Sequence, residues 1–156
     1  MKMIKTLTWA AGLTLGAALC SMAHAHDDAY LDTLTAPHGG QLRMAGGSHY
    51  ELVVVKTDPV AKVAKAKAIV VYVTDHAGTK IPTAGATGSV TLLSGKTKVN
   101  ATLTPDGDNK LTGHAVYAST PDLKAVVKIK LAGQDEQQAR FTPLANQAGG
   151  GGDHKH

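Results

Sequence analysis

Short runs of apolar and β-branched residues, separated by turn residues, recur along this chain of 156 residues and restrict it to folds built from strands. Residues 49–56 and 68–74 are rich in β-branched residues and nearly continuous in apolar ones, which favours strands inside a sheet. Residues 123–131 alternate between apolar side chains and lysines, as expected for a strand with one face in the core. Other runs predict strands at 41–45, 89–93, 98–103, 111–118 and 139–142. Turn signals at intervals of about ten residues predict an all-β fold, an Ig-like antiparallel β-sandwich of about seven strands.

Burial of apolar side chains alone must hold this fold together. The single cysteine, Cys20, cannot form a disulfide within the chain. At about 25 cal/mol per Å² of buried apolar surface, several branched side chains must be buried. Those expected in the core are Val53, Val71, Val73, Val99, Val127 and Ile129. Residues 59–67 stay ambiguous, because a short helix and a lysine-rich edge strand or loop suit them equally.

The first 25 residues predict an export signal. A short basic segment precedes an apolar run at 6–19, and the Ala-His-Ala at 23–25 matches a cleavage site. The apolar run is shorter than the roughly 20 residues that span a bilayer. We therefore expect a cleaved, periplasmic protein that begins at His26, with no membrane insertion after cleavage. Cleavage after Ala23 is an alternative, and the large residue before Cys20 argues against lipidation.

The rest of the chain predicts one domain. Residues 26–37 are expected to form an extended N-terminal arm, 38–145 the β-sandwich and 146–156 a flexible Gly/His tail. The formal net charge of +4, halved by removal of the signal, and the lack of a basic patch with aromatics argue against a nucleic-acid partner. No phosphate-binding loop and no Gly-x-Ser-x-Gly motif is present, so we do not expect an enzyme.

The eight histidines give the chain its most distinctive chemistry. His49 and Glu51 are two apart and share one face of a strand. A hairpin closing through Gly46-Gly47 would bring His38 near them, with Met44 between. Two imidazoles, a carboxylate and a thioether suit copper, and the imidazole–carboxylate part suits zinc. Alternatively, His49 and Glu51 hydrogen-bond each other, and His38 caps a glycine turn.

The remaining histidines are further candidate ligands of unequal weight. With His26 first, the α-amine and imidazole can chelate copper(II), and cleavage after Ala23 would place this histidine third, which also suits copper(II) or nickel(II). His76 lies in a predicted turn and is an additional candidate. The histidines of the tail at 153–156 form a weaker one, because ordering a flexible segment costs about 1–2 kcal/mol per residue. His114 lies mid-strand and is better explained as a hydrogen-bonded histidine than as a ligand.

Three segments carry a resemblance to a known group of proteins: Ala-Pro-His-Gly-Gly at 36–40, His-Tyr-Glu-Leu-Val at 49–53 and Val-Tyr-Val-Thr-Asp-His-Ala-Gly at 71–78. They resemble small periplasmic proteins encoded with heavy-metal efflux systems, and also part of the periplasmic adaptor subunits of those pumps. The layout downstream resembles the Ig-like domains of the FixH and YtkA-like type.

The resemblance covers roughly residues 36–132 and implies a metal-handling role. It carries over His38, His49 and Glu51 as metal-binding residues, together with His76. A methionine-rich copper motif is absent, since Met44 is the one methionine in the predicted domain.

Two hypotheses follow. The first is a periplasmic protein that binds copper or zinc and buffers it or delivers it to an efflux adaptor or membrane complex. Its metal affinity should fall with acid, as free imidazole protonates below a pH of about 6.5. The alternative is an Ig-like interaction module that docks on a membrane complex and has no metal site.

Overall fold

The computed structural model describes residues 28–57 and 65–145, which form an antiparallel all-β fold. The elements in the described residues are α1 (Asp28–Leu31), β1 (Gln41–Ala45), β2 (Ser48–Val54), β3 (Lys67–Thr74), β4 (Thr87–Ser94), β5 (Thr97–Pro105), β6 (Lys110–Ala115), β7 (Lys124–Lys130) and β8 (Gln137–Phe141). The all-β prediction is confirmed, with eight strands where about seven were expected. Within these residues, no helix has the length and apolar character that crossing a membrane requires.

The strands follow the order β1-β2-β3-β6-β5-β4-β7-β8, and every neighbouring pair is antiparallel. Strands β4, β5 and β6 form a meander, while β3 returns beside β6 and β7 beside β4. These are two overlapping Greek keys, the connection typical of β-sandwiches. The ends of the sheet meet, because β1 lies against β8 and the Thr142 N–H donates to the Gln41 side-chain oxygen at 2.8 Å. The result is a barrel-like sandwich around one core.

Alternation along the strands divides the core from the outer surface. Val71, Val73, Val127 and Ile129 are fully buried, as predicted. Burying a side chain of this size contributes about 1.5–3 kcal/mol. The other two predicted core residues are half-buried: Val53 points outward with its alternate neighbours on β2, and Val99 packs at the margin of the core.

The segment predicted as an extended arm contains a turn of helix, α1, in its described part. Leu31 is only 1% exposed, so this turn is packed against the sandwich. The Arg43 guanidinium donates to Asp32 at 2.6 Å, and the Met44 N–H donates to the Asp28 carboxylate at 3.2 Å. An apolar anchor and two acidic side chains therefore fix a segment whose sequence lacks a clear period.

Several predictions concern residues outside those that the structure describes. They include the export signal at 1–25, His26, residues 59–64 of the ambiguous lysine-rich segment and the Gly/His tail at 146–156. These stay predictions.

Candidate functional site

Three of the four histidines in the described residues line one pocket on the outer surface of β2 and β3. His38 comes from the turn before β1, His49 from β2, and His76 from the turn after β3. The pocket has a volume of about 400 Å³, and Glu51 and Tyr72 also line it. We call these five residues and the space between them the histidine pocket.

Strand register places the side chains of the pocket. His49 and Glu51 alternate with buried neighbours on β2 and share its outer face, as predicted. The predicted hairpin through Gly46-Gly47 is confirmed, and it sets Met44 directly opposite His49. On the other side of β2, Tyr72 lies opposite Glu51. Tyr72 is not among the predicted site residues, although its outward position follows from the alternation of β3.

Glu51 is the centre of the hydrogen-bonding in the pocket, and its side chain is only 4% exposed. One carboxylate oxygen accepts the backbone N–H groups of His38, at 2.8 Å, and Gly40, at 3.0 Å. The other lies 2.8 Å from Nδ1 of the His38 ring. Both oxygens are thus engaged, which meets the requirement that a buried carboxylate be fully hydrogen-bonded. Glu51 fixes the turn and the ring together.

The two glycines after His38 make this arrangement possible. Gly39 has a φ of +71°, a conformation that side-chain-bearing residues rarely adopt, and its N–H closes a turn onto the Ala36 carbonyl at 3.1 Å. Gly40 approaches β2 so closely that a Cβ would overlap the Leu52 carbonyl oxygen and lie 2.9 Å from Cγ2 of Val53. The His-Gly-Gly segment thus brings backbone donors against a buried carboxylate.

The His38 ring is held in one orientation. It stacks on Tyr72 with ring centroids 3.6 Å apart and an interplanar angle of 5°. With Nδ1–H donating to Glu51, the Nε2 nitrogen keeps its lone pair for a ligand. The side chain is 42% exposed, so solutes can reach it.

His49 and His76 form a second stacked pair. Their ring centroids lie 4.9 Å apart with an interplanar angle of 10°. The turn that carries His76 is closed by Asp75, whose carboxylate accepts the N–H groups of Ala77 and Thr79, each at 2.8 Å. These hydrogen bonds, first of all that from Thr79, lower the pKa of Asp75.

Other predicted ligands lie apart from the pocket. Met44 is the cross-strand neighbour of His49, but it is not among the residues that line the pocket. His114 lies exposed on β6, opposite Ala68 of β3. Within residues 28–57 and 65–145, no group of three or more His, Cys, Asp or Glu side chains is arranged to hold a metal ion. The imidazoles of the pocket instead lie in two stacked pairs, His38 with Tyr72 and His49 with His76.

No protein-family model matches the chain, and no curated protein matches it. The chemistry of the pocket therefore carries the functional argument.

Proposed function

We propose that the protein binds a transition-metal ion, copper or zinc, through the imidazoles of the histidine pocket. In the setting that the sequence predicts, it would buffer the metal in the periplasm or deliver it to an efflux system. The observation that supports this most is that His38, His49 and His76, from three separate segments, line one pocket.

The donor chemistry of the pocket supports the proposal. Neutral imidazole is the commonest protein ligand of transition metals. Three imidazoles and a water complete the four-coordinate geometry of zinc, and imidazole nitrogen also suits copper(II). A histidine that binds metal through one nitrogen typically donates its other N–H to a carboxylate, as His38 does to Glu51. Glu51 is then a residue that positions a ligand.

Binding requires a local rearrangement. The His49 and His76 rings are nearly parallel, so their nitrogens converge on one ion only after one ring rotates. His76 is exposed in its turn, and an exposed side chain changes rotamer within nanoseconds. Rotation of the His76 ring would separate the stacked pair and turn a nitrogen of each ring toward the same ion.

Metal titration of the mature protein with Zn²⁺ and Cu²⁺ tests the proposal. His38→Ala, His49→Ala and His76→Ala should each weaken binding by about tenfold or more, with little loss of stability. His114→Ala is the matched control, because it removes an exposed histidine outside the pocket. Acetylation of the α-amine removes a ligand of the predicted site at His26, so the affinity that remains is that of the pocket.

Equal affinities in the three pocket variants and the control would overturn the proposal. So would an affinity that depends on the tail, measured with the double variant His154→Ala and His156→Ala, and not on His49.

A further inference from the structure

The outer surface of the sheet half formed by β5, β4, β7 and β8 carries cations around an apolar strip. Leu93 of β4 lies between Lys98 of β5 and Lys124 of β7 in the strand register. One row along, Val126 of β7 lies beside Arg140 of β8. We call these five residues the cationic face.

The centre of the cationic face is a concave apolar groove. Leu93 is 38% exposed and is one of the few large apolar side chains that reach solvent in the described residues. Together with Val126 it lines a groove of about 540 Å³. A groove of this kind accepts an apolar side chain from another molecule.

The cations around this groove form no ion pairs in the described residues. Lys98, Lys124 and Arg140 are exposed, and none forms an ion pair within residues 28–57 and 65–145. Lys124 interacts electrostatically with Asp122, so its charge is compensated in part. Arg43, at one end of the groove, differs because it is bound to Asp32 at 2.6 Å. Three charges of one sign therefore surround an apolar centre, and Lys98 and Arg140 have no ion-pair partner in the described residues.

Protection of a sheet edge explains only some of these cations. Lysines on edge strands discourage pairing with other chains. Lys98 fits that role, because β5 pairs with β6 only at Thr104 and Pro105, and Arg140 lies on β8, the last strand of the order. Lys124 does not, because β7 pairs with β4 on one side and with β8 on the other.

We propose that the cationic face docks an acidic segment of a partner protein, with an apolar side chain on Leu93 and Val126 and carboxylates beside the three cations. Adjacent strands lie about 4.8 Å apart, so Lys98 and Lys124 flank Leu93 at a Cα separation of roughly 10 Å. An extended Glu-x-Leu-x-Glu segment places its carboxylates about 13 Å apart around a leucine, and the long lysine side chains span the difference. The concave groove favours a protein segment over a membrane, which is engaged by protruding apolar side chains. This docking is independent of the metal proposal.

An NMR titration of the isotope-labelled mature protein tests the docking surface. The probe is a synthetic peptide in which Glu and Leu alternate at every second position with Ser between them. Shift changes should centre on Leu93, Val126 and Arg140, and the affinity should fall with added salt. A variant that combines Lys98→Glu, Lys124→Glu and Arg140→Glu should bind about tenfold more weakly or worse, and Arg140→Glu alone should weaken binding about threefold.

Matched controls make each outcome decisive. Lys80→Glu changes a 66% exposed lysine elsewhere on the fold and should leave peptide affinity unchanged. The triple variant and Arg140→Glu should keep their zinc affinity, which separates a failure of docking from a failure of the metal site. Shift changes elsewhere, equal binding of a peptide with Gln for Glu, or unchanged affinity in Arg140→Glu would overturn the proposal. Binding of phosphatidylglycerol vesicles through these cations, without peptide binding, would assign the face to a membrane instead.

Discussion

The histidine pocket and the cationic face lie on the outer surfaces of the two halves of one sheet, yet they use polar side chains in opposite ways. In the pocket, Glu51 is buried and its oxygens are engaged by His38 and Gly40. On the cationic face, Lys98 and Arg140 are exposed and form no ion pairs within the described residues. Changes to Glu51 or to the turn that it holds should therefore cost both stability and metal binding, whereas changes on the cationic face should cost binding alone.

The largest effect is expected from Gly40→Ala in the histidine pocket. The added Cβ would overlap the Leu52 carbonyl oxygen, so the turn must move away from Glu51. We expect the free energy of unfolding to fall by about 3 kcal/mol, measured by urea denaturation, because the overlap is with backbone. Zinc affinity should fall as well, since His38 moves with the turn.

Gly47→Ala is the control for this change. A Cβ at Gly47, in the β1–β2 hairpin, meets no atom within 4 Å and its φ is not positive. Its effect should stay within about 0.5 kcal/mol. If both alanines were tolerated equally, close approach of the turn to β2 would not be what positions His38.

Glu51 allows stability and ligand orientation to be separated. Glu51→Ala leaves the His38 and Gly40 N–H groups without their acceptor and should cost about 2 kcal/mol. Glu51→Gln keeps a carbonyl oxygen for these donors but turns an amide NH₂ toward Nδ1 of His38. The ring proton then moves to Nε2, and zinc affinity should fall by about 10–100-fold with a smaller loss of stability.

Long-range NMR correlations of the His38 ring nitrogens report the tautomer directly. Glu136→Gln is the control, because that carboxylate is 56% exposed and its nearest lysine nitrogen is 3.8 Å away. A Glu51→Gln protein with unchanged zinc affinity would show that Glu51 does not position a ligand.

Much of the fold could be predicted from sequence because the signal is local. Apolar runs and turn residues located every strand within a few residues, and the Gly46-Gly47 hairpin gave the neighbourhood of His49 and Glu51. The helical turn α1 was missed, since its stability comes from burial of Leu31 and from the distant Arg43.

The geometry of the site was less accessible to prediction. Spacing placed His49 and Glu51 on one face, but the bonds from Glu51 to the turn at His38 and Gly40 depend on how that turn crosses β2. The stacking of His38 on Tyr72 likewise depends on the register between β2 and β3. The cationic face arises from pairing among strands β5, β4, β7 and β8, which no single segment of sequence displays.

Tyr50 lies on the core side of the same strand as Glu51, but its buried polar group is not hydrogen-bonded by the residues that the structure describes. Its hydroxyl is buried and has no hydrogen-bond partner among the described residues. Tyr50→Phe should therefore raise the free energy of unfolding by about 1 kcal/mol, measured by urea denaturation. Destabilisation by this change would show that the hydroxyl is satisfied, and the contrast with Glu51 would fail.

The same residue predicts a pH dependence. Burial, assisted by the negative charge of Glu136, raises the pKa of Tyr50 to about 12. In the unfolded chain tyrosine ionises near pH 10, so between pH 10 and about 12 the unfolded state loses its proton first. The stability that this residue contributes is thus complete below pH 10 and declines above it. Tyr50→Phe should reduce that decline, and the phenolate absorbance that this change removes from the folded protein should be absorbance that appears near pH 12.

The smallest effect is expected on the cationic face, from the double variant Lys98→Ala and Arg140→Ala. Both side chains are exposed and form no ion pair in the described part of the chain, so their removal breaks no contact of the fold. The free energy of unfolding should change by less than about 0.5 kcal/mol. A slight gain at low salt is expected because two like charges are removed, and it should vanish near 1 M salt, where the Debye length is about 3 Å. A loss comparable to that of Glu51→Ala would mean that these cations hold the sheet together. They would then be structural, like the carboxylate in the pocket, and the contrast between the two surfaces would disappear.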